Sequence, residues 1–220
     1  MALSRATAIT QLTTSLVTQV TVTAVSNTVG IVKELLITNI NAAARTVDIH
    51  FVPSTGTAAD SNAIMKGISI PADTMVRLPF ETALSASDYI QALANNGTSV
   101  NLKVSMVEYG PSPVPLYVPQ TPALIGIAAS AFYIVGSGKV GNMKEILLSN
   151  VTGTDRTVTA YLVPAAGAAG NDNTFLDTVT IAANTLYRPP FNTTLTAGDK
   201  VMFLASAASA IMCRISPLEY

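Results

Sequence analysis

Nine residues beginning at Arg45, "RTVDIHFVP", return 111 positions later as "RTVTAYLVP" from Arg156. The same shift aligns Lys33, Glu34 and Leu36 with Lys144, Glu145 and Leu147, and Asn39 with Asn150. It aligns Arg77, Pro79 and Phe80 with Arg188, Pro190 and Phe191, and Asp88 with Asp199. From position 26 to 109, 30 of 84 pairs are identical without a gap, far above chance. Solenoid repeats have periods of roughly 20–50 residues. A period of 111 therefore means that each copy is a whole domain with its own core.

Each copy reads as strands. Val47, Ile49 and Phe51 alternate with Thr46, Asp48 and His50, and Val158, Ala160 and Leu162 alternate with Thr157, Thr159 and Tyr161. Period-two alternation with one apolar side is the signature of a half-buried strand. "VKELLITN", "AIMKGISI", "MVRLPF", "DYIQALA" and "SVNLKVSMVEY" add strands to the first copy, and "TVTAVSNTVG" adds one near its start. Gly, Pro, Asn and Asp punctuate them. The expected fold is all-β: two tandem antiparallel β-sandwich domains, either jelly-roll or immunoglobulin-like.

The expected boundaries are an N-terminal arm over 1–15, a first sandwich over 16–109, a linker over 110–122 and a second sandwich over 123–220. The linker, "GPSPVPLYVPQTP", has five prolines in 13 residues and reads as an extended, semi-rigid connector. Residues 1–15 correspond to it in register and end either as a frayed terminus or as an arm on a neighbouring subunit.

Only 11% of residues are charged and the net charge is −1, with no basic run, so the chain carries no electrostatic footprint for nucleic acid. The longest apolar run, "ALIGIAASAFYIVG", has 14 residues, short of the ~20 that span a bilayer. No secretory signal is visible at the start. The expectation is a protein made in a cytoplasm, with no membrane and no nucleic-acid partner.

Catalytic signatures are weak. His50 is the only histidine and falls on the outward side of its strand, so a surface position is expected. Cys213 is the only cysteine and alternates with Ile211 and Ile215, which predicts a buried, inert thiol. "GSGK" at 136–139 resembles the end of a P-loop, but Tyr133 and Val140 stand where that motif needs Gly and Ser or Thr. It reads as a turn. "AADSNA" and "GNDNTF" are oxygen-rich but lack the acidic density of a calcium loop. Asp88 and Asp199 read as turn caps. Sequons at Asn96, Asn150 and Asn192 matter only in a secretory pathway. No cofactor, metal or catalytic residue is expected. Glycoside hydrolysis needs two positioned carboxylates, and no pair stands out.

The candidate site residues are Arg45, Arg77, Arg156 and Arg188, which occupy equal places in both copies. One reading pairs them with a carboxylate or carbonyl inside each sandwich. The other makes them anchors for a neighbouring subunit, since Arg is enriched in interfaces.

The stretch from "NVTGTDRTVTAYLVP" through "IAANTLYRPPF" and "LTAGDKVMFLASAASA" to the C-terminus resembles small β-sandwich virion proteins of tailed bacteriophages. The resemblance covers both copies and implies a non-enzymatic structural role on the particle. Head decoration, cementing neighbouring capsid subunits from outside, is the leading expectation, and a tail or tail-fibre component is the alternative. The implied partners are the major capsid protein or other virion proteins, with a homo-oligomer, trimer or dimer, assembled in the bacterial cytoplasm. Tyr133, Tyr161 and Tyr187 could offer a glycan platform, but the chain has no Trp.

Overall fold

The computed structural model describes residues 2–6, 9–110 and 116–220. The chain divides into two compact units, Met1–Pro113 and Val114–Tyr220. The first contains β1 (Ala2–Ala6), β2 (Thr10–Gln11), β3 (Val17–Thr21), β4 (Val29–Asn39), β5 (Arg45–Val52), β6 (Ala63–Ile70), β7 (Met75–Ser85), β8 (Tyr89–Ala94) and β9 (Val100–Tyr109). One sheet runs β1-β9-β4-β7, with β2 also beside β9, and the other runs β3-β8-β5-β6. Every pairing is antiparallel. From β3 onward the chain crosses between sheets at every step but β5–β6. This is the double-sheet jelly roll, one of the two sandwich topologies that the strand spacing allowed.

The second unit repeats it with β10 (Leu116–Tyr117), β11 (Ala123–Leu124), β12 (Ser130–Ile134), β13 (Val140–Asn150), β14 (Arg156–Val163), β15 (Thr174–Ile181), β16 (Leu186–Tyr187), β17 (Thr193–Thr196), β18 (Lys200–Ala205) and β19 (Ile211–Glu219). Its sheets are β10-β19-β13-β16, with β11 beside β19 and β17 beside β13, and β12-β18-β14-β15. The long β7 of the first unit is here two pieces. Pro189 stands where the first unit has Leu78, so Pro189–Pro190 removes two successive donors and breaks the edge strand.

The alternation seen in the sequence sets the core. Val47, Ile49, Phe51, Val100, Leu102, Val104 and Met106 are buried in the first unit. In the second, Val158, Ala160, Val201, Phe203, Ile211, Cys213 and Ile215 form one cluster with Met143, Ile146 and Leu148.

Two expectations near the chain start need correction. The expected arm, residues 1–15, supplies β1 and β2 to the first sandwich: Ala2 pairs with Tyr109 and Thr10 with Leu102. The expected linker behaves alike at its far end, where Leu116 pairs with Glu219; its residues 111–115 lie outside the described residues. Short side chains and prolines hid these edge strands, which show no alternation. The second correction concerns register. The shift is 111 from the turn at Val25–Thr28 onward but 113 before it. Val22 and Val135 make the same two backbone bonds, to the Asp88 and Asp199 carbonyls and from the Ser87 and Gly198 N–H groups. Thr23 and Ala24 are the two extra residues, and the strand expected in "TVTAVSNTVG" lies instead at Val17–Thr21, with Val29 and Gly30 already in β4.

Backbone conformation repeats more faithfully than sequence. Among the described residues, positive φ occurs in five pairs: Asn27/Gly138, Gly67/Thr178, Asp73/Asn184, Ser87/Gly198 and Thr98/Ser209. Only one residue of each of the first, second and fourth pairs is glycine. A shared glycine has a different cause: a Cβ on Gly30 would lie 2.8 Å from Met106 Sδ and from Val22 Cγ2, and one on Gly141 would lie 2.9 Å from the Tyr133 hydroxyl. Gly30→Ala should therefore cost about 1–3 kcal/mol by overpacking. A denaturant midpoint unchanged from wild type would contradict that.

Candidate functional site

The polar residues shared by the two copies hold loops. The buried Asn39 amide donates to the carbonyls of Ala43, Ile70 and Pro71 at 2.9–3.0 Å, and its Oδ1 accepts from Asn41 N–H. Asn150 does the same with Thr154, Ile181 and Thr152. Asn62 and Asn173 each close a 3₁₀ turn, Asp60–Asn62 or Asn171–Asn173, by accepting from the N–H of Ala59 or Gly170. Glu108 accepts from Thr23 N–H at 3.0 Å and Glu219 from Gly136 N–H at 3.4 Å. The Tyr133 hydroxyl also donates to Glu219, and burial with this carboxylate raises its pKa far above the ordinary range.

The expected turn caps are in place. Asp88 accepts from Ser54 and Ser85 N–H, and Asp199 from Ala165 and Thr196 N–H. The Thr196 N–H, aided by the Thr196 hydroxyl and Ala165 N–H, holds the Asp199 carboxyl below its usual value. A depressed folded pKa stabilises fully above the unfolded value, about 3.9, and the benefit disappears as pH falls through the folded value. Asp199→Asn should flatten the acid limb of the second unit's stability. An acid limb as steep as wild type would rule out this origin.

His50 is not a surface residue. It is 6% exposed, with Nδ1 3.1 Å from Asn62 Oδ1 and 3.3 Å from the Ala59 carbonyl. Its side chain does point out of the strand, but the 3₁₀ turn folds over it. Both neighbours are acceptors, so Nδ1 carries the proton. Cys213 is buried and desolvation pushes its thiol up, as expected of an inert core residue. Gly136–Lys139 is a turn closed by Lys139 N–H on the Gly136 carbonyl. Asp60 pairs with Lys66 at 2.5 Å. No group of three or more metal-ligating side chains occurs among the described residues, and no helix there is long and apolar enough to cross a membrane.

Within each unit the two arginines belong to different sheets or their edges. Arg77, in β7, pairs with Glu34 of β4, and Arg188, just past the end of β16, pairs with the equivalent Glu145 of β13. Arg45 and Arg156 open β5 and β14, in the opposite sheets; Arg45 Nη2 donates to Asn41 Oδ1 at 2.9 Å. The sequence did not single out the Glu34 and Glu145 partners, because strand pairing alone brings them across. Around Arg77 the first unit presents an exposed group: Met75 (62% exposed) and Pro79 alternate with it outward on β7, and Ile40 (50% exposed) lies at the end of β4. Asn39 anchors this end, since Asn39 N–H bonds the Thr74 carbonyl and Asp73 N–H the Asn41 carbonyl. The second unit has Val151, buried, and Leu186, half-buried, at the places of Ile40 and Met75.

No family model matches the chain, and no curated protein does. Among solved structures, a chain in the atomic structure of Sulfolobus Turreted Icosahedral Virus overlaps it with TM-score 0.31 and 11% identity, covering 96% of this chain and 59% of that one. This chain thus spans under two thirds of that protein's length. The crystal structure of the STIV MCP gives TM-score 0.30 and 10% identity, with 99% and 96% covered. The PBSX exported protein XepA gives 0.29 and 10%, with 99% and 85% covered. At these TM-scores the likenesses carry no weight for function.

Proposed function

We propose that this chain is a non-enzymatic structural component of a virus particle, a head decoration protein of a tailed bacteriophage that binds the outer capsid surface and holds neighbouring capsid subunits together. The observation that carries this reading is the pair of jelly rolls whose shared polar residues, Asn39/Asn150, Asn62/Asn173 and Asp88/Asp199, all serve to fix loops. Each unit, with its loops so fixed, is built to display surfaces. Two tethered units can engage two capsid subunits, which raises the effective concentration of the second contact. Few exposed Lys or Glu side chains keep the desolvation cost of such contacts low. The sequence resemblance to phage β-sandwich proteins points the same way.

In this reading the four arginines face neighbouring subunits, and Arg77 with Met75 and Ile40 forms one contact. Its exposed ion pair contributes at most about 1 kcal/mol to folding, so Arg77→Ala should leave stability nearly unchanged while weakening attachment to particles. Immunogold microscopy of intact particles tests the whole proposal. Label spread over the head supports it, and label confined to the tail moves the role to tail assembly or host recognition. Unlabelled particles with a working antibody would overturn any exterior role.

A further inference from the structure

Asn96–Gly97 lies in the loop between β8 and β9, with the Asn96 side chain exposed. Three features there favour one reaction. Among the described residues the Gly97 N–H donates no hydrogen bond. A Cβ on Gly97 would meet nothing within 4 Å, so no neighbouring group crowds the Cα side of this residue. The hydroxyl of Ser99, itself buried, donates to Asn96 Oδ1 at 3.1 Å and polarises the amide carbonyl.

We propose that Asn96 is a site of spontaneous deamidation. The Gly97 nitrogen gives up its proton to solvent base and attacks Asn96 Cγ. The new C–N bond closes a five-membered succinimide, and Nδ2 takes a proton and leaves as ammonia. Water then opens the ring at either carbonyl, giving aspartate or isoaspartate. Ser99 stabilises the developing negative charge on Oδ1. The second unit is an internal control, because Ala207–Ala208 occupies the same loop position and cannot react.

The isoaspartate product adds a methylene to the main chain inside a tied loop. Gln11 Nε2 donates to the Thr98 carbonyl at 3.2 Å, Thr98 N–H to the Leu12 carbonyl at 3.2 Å, and Leu12 N–H to the Val100 carbonyl at 2.8 Å. These bonds hold the start of the first sandwich, so the reaction loosens that edge with age. It also adds one negative charge.

The test is peptide mapping by mass spectrometry of the full chain aged in mildly alkaline buffer, with enzymatic methylation to mark isoaspartate. The peptide containing Asn96 should gain about 1 Da and accept methyl groups. Gly97→Ala, which the open space and ordinary φ admit, should abolish both changes over the same incubation. Ser99→Ala should slow the reaction in the folded chain but not in denaturant. An unmodified Asn96 in folded protein, while a synthetic peptide of residues 92–101 reacts, would overturn the proposal. Equal folded-state rates with and without the Ser99 hydroxyl would overturn its assigned role.

Discussion

Asn150→Ala should loosen the second unit's end loops and lower its stability by about 1–3 kcal/mol, the cost of a buried polar group left unpaired. The substitution removes the amide donor from the buried contact with the Ile181 carbonyl and the acceptor of the Thr152 N–H, while the exposed Thr154 carbonyl keeps the Thr152 hydroxyl at 3.1 Å. A domain holds only about 5–15 kcal/mol in total. Asn150→Asp should be no better, because a carboxylate would face the two carbonyls that now accept from the amide. Hydrogen exchange read separately for each unit checks this: protection should fall across β13–β19 and persist in β3–β9. Uniform protection in both units would refute the assignment.

Phe203→Ala should cost about 3–5 kcal/mol, the usual range for deleting a buried aromatic ring. Phe203 is fully buried and meets Phe132 edge-on at 5.4 Å and Phe175 at 6.5 Å. The first unit carries Ala92 at that place and fills its core otherwise, with Phe51 against Phe80 at 5.9 Å where the second unit has Leu162 in place of Phe51. Ala92→Phe should therefore overpack the first core rather than strengthen it. A denaturant midpoint for Phe203→Ala within experimental error of wild type would mean that the ring is not integral to the core.

Much of this architecture is legible in the sequence because repetition and alternation are both local. "RTVDIHFVP" and its echo locate β5 and β14, and "AIMKGISI" matches β6 residue for residue. The turn caps Asp88 and Asp199 follow from their place before a strand. Edge strands are not legible: β1, β2, β10 and β11 are two to five residues long and show no apolar rhythm. The two-residue change of register is equally silent, since Thr23 and Ala24 carry no pattern and only hydrogen-bond partners reveal them. His50 was misread for a related reason. Period two tells which side of a strand a residue takes, and nothing in it tells that a distant turn covers that side.

The adjacency of β1 with β9, and of β10 with β19, sets the order in which the protein can be made. Each unit's first strand pairs with its last, so neither unit closes until its final residues leave the ribosome. At about 5–20 residues per second, β10 follows β9 within about 2 s, but β19, the second unit's counterpart of β9, begins about 100 residues later, which leaves the first unit roughly 5–20 s to close before it emerges. Two copies this alike invite their strands to exchange. Vectorial synthesis gives the first unit's strands their proper partners before β19 exists, and a closed first unit leaves β9 already paired when the second unit's strands emerge.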